Sequence, residues 1–202
     1  DLGIAFDGAG DRVFMCDSHG NLRDGDNLLY IIANDTKKRG RLPGGVVGTL
    51  MTNLGLELAL KREGIPFSRA KVGDRYVMEQ LLEKNWTLGG ENSGHIISLK
   101  HATTGDVILS ALQFLKACMY AGKTVEELSE GLTMYPQDLI NVRLTAGLDV
   151  TRDEKVQTVV AEVEKELGST GRVLLRKSGT EPVVRVMDEG ENSQDVLALI
   201  LI

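Results

Sequence analysis

Residues 44–72, Gly44-Gly-Val-Val-Gly-Thr-Leu-Met-Thr-Asn-Leu-Gly-Leu-Glu-Leu-Ala-Leu-Lys-Arg-Glu-Gly-Ile-Pro-Phe-Ser-Arg-Ala-Lys-Val72, decide the fold class. Residues 44–49 are rich in Gly and Val and read as a strand. Residues 53–63 follow as a helix carrying Leu54, Leu56, Leu58 and Leu60, and Gly64 stops it. Residues 68–72 read as the next strand.

The same alternation extends both ways. Before this stretch, residues 26–38 have helical spacing through Leu28, Leu29, Ile31 and Ile32. Beyond it come a helix over 74–84, a Gly-rich turn and a strand over 95–99. A largely apolar helix follows over 105–121, and the capping box Thr124-Val-Glu-Glu127 opens a short one. Strands alternating with helices over 21–132 predict an α/β domain with a mixed sheet.

Upstream, residues 2–6 and 12–16 read as short strands around a Gly-rich turn. Downstream, residues 134–138 with Pro136 read as a linker. Residues 139–145 then form a strand, 153–167 a helix, 172–177 and 183–188 two strands, and 193 onward a helix. That order predicts a small α+β domain over 137–202.

Composition sets outer limits. The 202 residues are 42% apolar and 26% charged, enough for a real core. Aromatics at 4% and a net charge of −6 argue against nucleic acid as a partner. No run of about 18 apolar residues is present, so no membrane span is expected. Cys16 and Cys118 lack metal-ligand spacing and read as reduced core thiols, which fits a cytoplasmic protein. The chain opens on Asp1-Leu-Gly-Ile-Ala-Phe6 and closes on an apolar run over 195–202, and both ends read as cuts inside a longer protein.

Three loops carry chemistry-bearing side chains. In Asp7-Gly-Ala-Gly-Asp-Arg12, two carboxylates with glycines between them can turn inward on one loop. That donor set suits a hard cation such as Mg²⁺. The same residues also describe a hairpin turn with solvated carboxylates. In Gly89-Gly-Glu-Asn-Ser-Gly-His95, Glu91, Asn92 and Ser93 crowd donors and acceptors that suit sugar hydroxyls. His95 is a candidate proton shuttle, being the one group there that ordinarily titrates near neutrality. A polar turn with His95 bonded to backbone is the alternative. In Arg176-Lys-Ser-Gly-Thr-Glu-Pro-Val-Val-Arg185, Ser178, Gly179 and Thr180 can form an anion nest. Arg176 and Arg185 can grip phosphate oxygens in pairs of bonds, and a basic surface turn is the other reading.

In this order the loops resemble the α-D-phosphohexomutase family. Gly44-Gly-Val-Val-Gly-Thr-Leu-Met51, Asn53-Leu-Gly-Leu-Glu57, Lys71-Val-Gly-Asp-Arg-Tyr76, Thr103-Thr-Gly-Asp106 and Val173-Leu-Leu-Arg-Lys-Ser-Gly-Thr-Glu-Pro182 extend the likeness over essentially the whole chain. The resemblance implies a four-domain enzyme whose first domain carries a phosphorylated catalytic serine. Residues 1–20 would end its second domain, 21–132 would be its third and 137–202 most of its fourth, with the serine domain absent. It implies interconversion of glucosamine 6-phosphate and glucosamine 1-phosphate through a bisphosphorylated sugar, for amino-sugar nucleotide and cell-wall precursor synthesis.

By the same resemblance, Asp7 and Asp11 would hold Mg²⁺. Arg12, Glu91, Asn92 and Ser93 would contact the sugar phosphate, and His95 would assist proton transfer. Arg176, Ser178, Gly179, Thr180 and Arg185 would clamp the non-reacting phosphate. Asn92 stands where glucose- and mannose-specific relatives often carry an apolar residue, which favours an amino sugar. Those other sugar phosphates remain alternatives, as does a non-catalytic phosphosugar-binding remnant. The chain departs from the family pattern at Ala9, where a third aspartate is usual, at Val107, usually glycine, and at Pro43.

Overall fold

The computed structural model describes residues 2–143, 150–178 and 182–191, which fall into two compact units, Asp1–Thr133 and Met134–Ile202. In the first unit, β1 (Gly3–Phe6), β2 (Val13–Cys16) and β3 (Leu22–Arg23) form an antiparallel sheet in that order. Val13 and Met15 of β2 point into the main core, whereas β1 is exposed along its length.

The second sheet of this unit is mixed, in the order β5-β4-β6-β7. It comprises β4 (Val46–Thr49), β5 (Phe67–Ala70), β6 (Leu88–Gly90) and β7 (Ile96–Ser98). Strand β4 runs parallel to β5 and β6, and β7 returns antiparallel to β6. Val46 and Val47 are adjacent, so they face opposite sides, and both are buried. Val46 joins a core with Leu88, Ile96, Leu28, Leu56 and Phe114. Val47 joins a second core with Ala70, Ile97, Val77 and Leu81. Helices therefore cover both faces, as a β-rich run without polar alternation requires.

The first core is built by α1 (Gly25–Lys38), α2 (Leu54–Arg62) and α4 (Val107–Ala121), the second by α3 (Asp74–Lys84). The Asp24 carboxylate starts α1 by accepting from the amides of Asp26 and Asn27, both at 3.1 Å. Asn53 caps α2 by accepting from Gly55 at 2.9 Å. Asp106 caps α4, accepting from Leu109 at 2.9 Å. Thr124 and Glu127 exchange bonds across the start of α5 (Val125–Ser129), completing the expected capping box. Val107 is accommodated: its side chain is buried in the first core, and its amide donates to Gly10 O at 3.3 Å. Cys16 and Cys118 are only partly buried, unlike the core thiols expected, and neither is in a disulfide.

The second unit has an antiparallel sheet in the order β8-β10-β9, with β8 (Gln137–Arg143), β9 (Gly171–Lys177) and β10 (Val183–Gly190). A single 3₁₀ turn, Val150–Arg152, leads into α6 (Glu154–Leu167), whose Val163 and Leu167 pack on Val173 of β9. The helix expected from residue 193 lies outside the described residues.

Candidate functional site

The loop between β1 and β2 is drawn tight by Asp7. Its Oδ1 accepts from the amides of Gly10, Asp11 and Arg12 at 2.9, 3.1 and 3.2 Å. Desolvation raises the Asp7 pKa, but the Arg12 and Asp11 amides, the Asp11 carboxyl and the Gly10 amide pull it lower, and the net direction is down. Asp11 Oδ2 lies 3.2 Å from His95 Nδ1, and Asp11 Oδ1 is buried without a hydrogen-bond partner. Two carboxylates on one tight loop, one with an orphaned oxygen, fit a hard divalent cation. Ala9 adds no ligand, and Arg12 is exposed at the loop's end.

The sugar-loop candidates sit between β6 and β7 and are wedged against three other segments. Gly94 adopts φ +89, and a Cβ there would lie 2.3 Å from Val13 O. The Val13 amide in turn donates to Gly94 O at 3.1 Å. The Gly25 amide donates to Asn92 O at 3.0 Å, and a Cβ on Gly25 would lie 1.9 Å from Glu91 O. The Gly73 amide donates to Glu91 Oε1 at 3.0 Å. Glu91, Asn92 and Ser93 are each half-buried. Among the described residues, the Asn92 and Ser93 side chains have no protein hydrogen bond, so their polar groups remain available to a ligand.

His95 is only 5% exposed. Its Nε2 has no hydrogen-bond partner, and a Cβ on Gly105 would lie 2.4 Å from that nitrogen. The structure therefore brings Asp7, Asp11, Glu91, Asn92, Ser93 and His95 into one unit and links the two loops through His95 and Val13. Gly25, Gly73 and Gly105 hold this arrangement; Gly73 and Gly105 lie in stretches that carry the resemblance, but none of the three reads as a site residue. Their roles depend on how close distant backbone comes.

In the second unit, Arg176 and Arg185 are cross-strand partners on β9 and β10. Burial, and then the neighbouring Arg185, pull the Arg176 pKa down. The Ser178 amide donates to Val183 O at 2.9 Å, closing the base of the hairpin. Gly179 and Thr180 lie outside the described residues.

Two other features of the first unit are already internally satisfied. Asp17, His19 and Glu126 bring potential ligand atoms within 4.8 Å of one another. Asp17 Oδ1 accepts from the His19 and Asn21 amides, and Arg23 pairs with Oδ2 at 2.6 Å, so a fixed cation already neutralises it. Glu126 binds Ser18 Oγ at 2.7 Å, tying this turn to α5. A cavity lined by Tyr30, Asp35, Arg39, Tyr120 and Glu127 lies beside α1, α4 and α5. There Arg39 pairs with Asp35 and stacks 3.5 Å from the Tyr120 ring centre.

Residues 24–135 match the family model described as phosphoglucomutase/phosphomannomutase, alpha/beta/alpha domain III, and residues 139–201 match that for the C-terminal domain. The chain belongs to this phosphohexomutase family. It is 59% identical to proteins named phosphoglucosamine mutase from Aeromonas hydrophila, over 196 residues, and Escherichia fergusonii, over 197. Each match covers 97% of this chain but 44% of the relative, so the chain spans less than half the length of these curated relatives. The fold matches an Aspergillus fumigatus N-acetylphosphoglucosamine mutase solved with GlcNAc-6P and magnesium, at TM-score 0.79 and 21% identity, over 98% of this chain and 47% of that one. A putative phosphomannomutase from Thermus thermophilus aligns at TM-score 0.68 and 25% identity, over 99% and 44%.

Proposed function

We propose that this chain supplies the metal loop, sugar loop and phosphate clamp of a phosphoglucosamine mutase, which interconverts glucosamine 6-phosphate and glucosamine 1-phosphate in the cytoplasm. Residues 1–20, 21–132 and 137–202 would correspond to the end of the second domain, the third and the fourth. The observation that carries this reading is the half-buried trio Glu91, Asn92 and Ser93, held against Val13, Gly25 and Gly73 with two side chains free for a ligand. The 59% identity to phosphoglucosamine mutases supports the amino sugar over glucose or mannose.

Glu91, Asn92 and Ser93 would bind sugar hydroxyls and the amino group, with Arg12 at the rim of the metal loop. Arg176, Ser178, Gly179, Thr180 and Arg185 would hold the non-reacting phosphate, so that remote binding energy orients the reacting end. Asp7 and Asp11 would hold Mg²⁺, which when bound supplies charge neutralisation to a transferring phosphoryl group. The phosphoserine nucleophile would come from a further domain, so the 202-residue chain alone would bind substrate without turning it over.

A second reading, a non-catalytic phosphosugar-binding protein, is favoured by one observation: Ala9 contributes no carboxylate to the metal loop. Calorimetry with glucosamine 1-phosphate and glucose 1-phosphate tests the sugar assignment. The amino sugar should bind more tightly, and equal or reversed preference overturns that assignment. A coupled assay on the same chain should show no turnover, and measurable turnover overturns the claim that the nucleophile lies elsewhere.

A further inference from the structure

The run Lys37-Lys-Arg-Gly-Arg41 puts four cations in five residues of a chain whose net charge is −6. Lys37 and Lys38 lie in the last turn of α1, where cations suit the negative end of the helix dipole. That explanation stops at the helix end. Gly40, at φ +64, turns the chain back, and the Arg41 amide donates to Thr36 O at 2.9 Å. Arg41 therefore lies beyond α1, beside residues from two other segments.

A cavity of about 100 Å³ opens there, and its lining includes Asp35, Arg39, Arg41, Lys100, His101 and Lys116. Lys100 and His101 come from the turn after β7, and Lys116 from α4. The Lys100 ammonium donates to Arg41 O, which ties the two loops together. His101 Nδ1 lies 3.0 Å from Ser98 Oγ, which fixes the ring. Among the described residues, Asp35 is the one carboxylate of the lining, and it is spent on Arg39. Its Oδ1 accepts from Arg39 Nε at 2.8 Å and from Nη2 at 2.6 Å. Among the same residues, Arg41, Lys100 and Lys116 have no carboxylate partner.

Three uncompensated cations converging on one recess from three segments call for an anion. Pockets that enclose a whole ligand start at about 300 Å³, so this recess has room for one small charged group. Ammonium and guanidinium groups grip phosphate oxygens through charge-assisted bonds. The recess is also separate from the sugar loop. The Gly25 amide at the start of α1 bonds to Asn92 O, and the 14 residues of α1 carry its other end about 20 Å away.

We propose that this recess binds the phosphate group of a small phosphorylated molecule, gripped chiefly by Arg41 and Lys116.

The test is amide chemical-shift titration of the chain with inorganic phosphate and with methyl phosphate, against sodium chloride at matched ionic strength. The amides of Arg41, Lys100, His101 and Lys116 should shift saturably with both phosphates and not with chloride. Arg41→Gln and Lys116→Gln should each weaken phosphate binding here about 10-fold, the worth of one charge-assisted hydrogen bond. Lys38→Gln removes the same charge from outside the recess and should stay within about threefold of the parent, since it loses only a screened field. Arg176→Met, in the second unit, should leave these shifts unchanged. Saturation by inorganic phosphate alone overturns the assignment to a phosphorylated molecule. No saturable shift, the same shifts with chloride, or equal losses in Lys38→Gln and Arg41→Gln overturn the site altogether.

Discussion

Gly94 lies directly on Val13: the Val13 amide donates to the Gly94 carbonyl at 3.1 Å, and a Cβ on Gly94 would stand 2.3 Å from Val13 O. This contact seats the sugar loop on the strand leaving the metal loop, and φ +89 makes the position doubly demanding. Gly94→Ala should therefore cost about 1–2 kcal/mol from the backbone alone, with the clash added. A thermal melt should show the loss, and Mn²⁺ affinity should fall with it. An unchanged melting temperature would mean the loop rearranges freely and does not depend on this contact.

The metal loop makes its own prediction. Ala9→Asp adds a third carboxylate to this loop and should tighten Mg²⁺ binding, since anionic oxygen ligands set affinity in such sites. Parallel Mg²⁺ titrations of the chain and the variant decide this, and equal affinities sink it.

Arg176 and Arg185 face each other across β9 and β10, and both burial and this like charge pull the Arg176 pKa down. An anion bound between them relieves that repulsion. Inorganic phosphate should therefore raise the melting temperature of the second unit, with the effect shrinking as salt is added. Arg176→Met should abolish the phosphate effect. Equal phosphate stabilisation of the variant would remove Arg176 from the clamp.

Asp188 of β10 is 1% exposed, and neither carboxylate oxygen has a hydrogen-bond partner. Burial, then Asp138 opposite it on β8 and Glu189 beside it, raise its pKa from 3.8 to about 6. A carboxyl with a raised folded pKa favours the fold in its protonated form. Its contribution is therefore fully present below 3.8 and is lost as pH rises through about 6. Asp188→Asn should stabilise the second unit at pH values above that window, with the gain vanishing in acid. Hydrogen exchange of the β10 amides on both sides of the window reads this directly, and a pH-independent gain would contradict it.

The legible parts of the fold were those with punctuation in the sequence. Asn53 and Gly64 bracket α2 even though its leucines recur every second residue, a spacing that would suit a strand. In the helix, Leu56 and Leu60 are the buried pair and Leu54 and Leu58 are only partly covered. Thr124 and Glu127 marked α5 equally well. Strand β6 was not legible, because Leu88-Gly-Gly90 reads as a turn. Gly89 is needed there since a Cβ would lie 2.7 Å from Val47 O on the neighbouring strand. Strand β3, at two residues, is too short to carry a pattern.

The candidate site divides the same way. The types and order of Asp7, Asp11, Glu91, Ser93 and His95 could be read from the sequence. The burial of His95, its bond to Asp11 and its wall at Gly105 could not, because they join segments far apart in the chain.

Amide chemical-shift mapping with glucosamine 6-phosphate tests the central claim most directly. The account predicts saturable shifts of the Glu91, Asn92 and Ser93 amides in the loop between β6 and β7. Shifts confined to other segments, or none at saturating ligand, would contradict it.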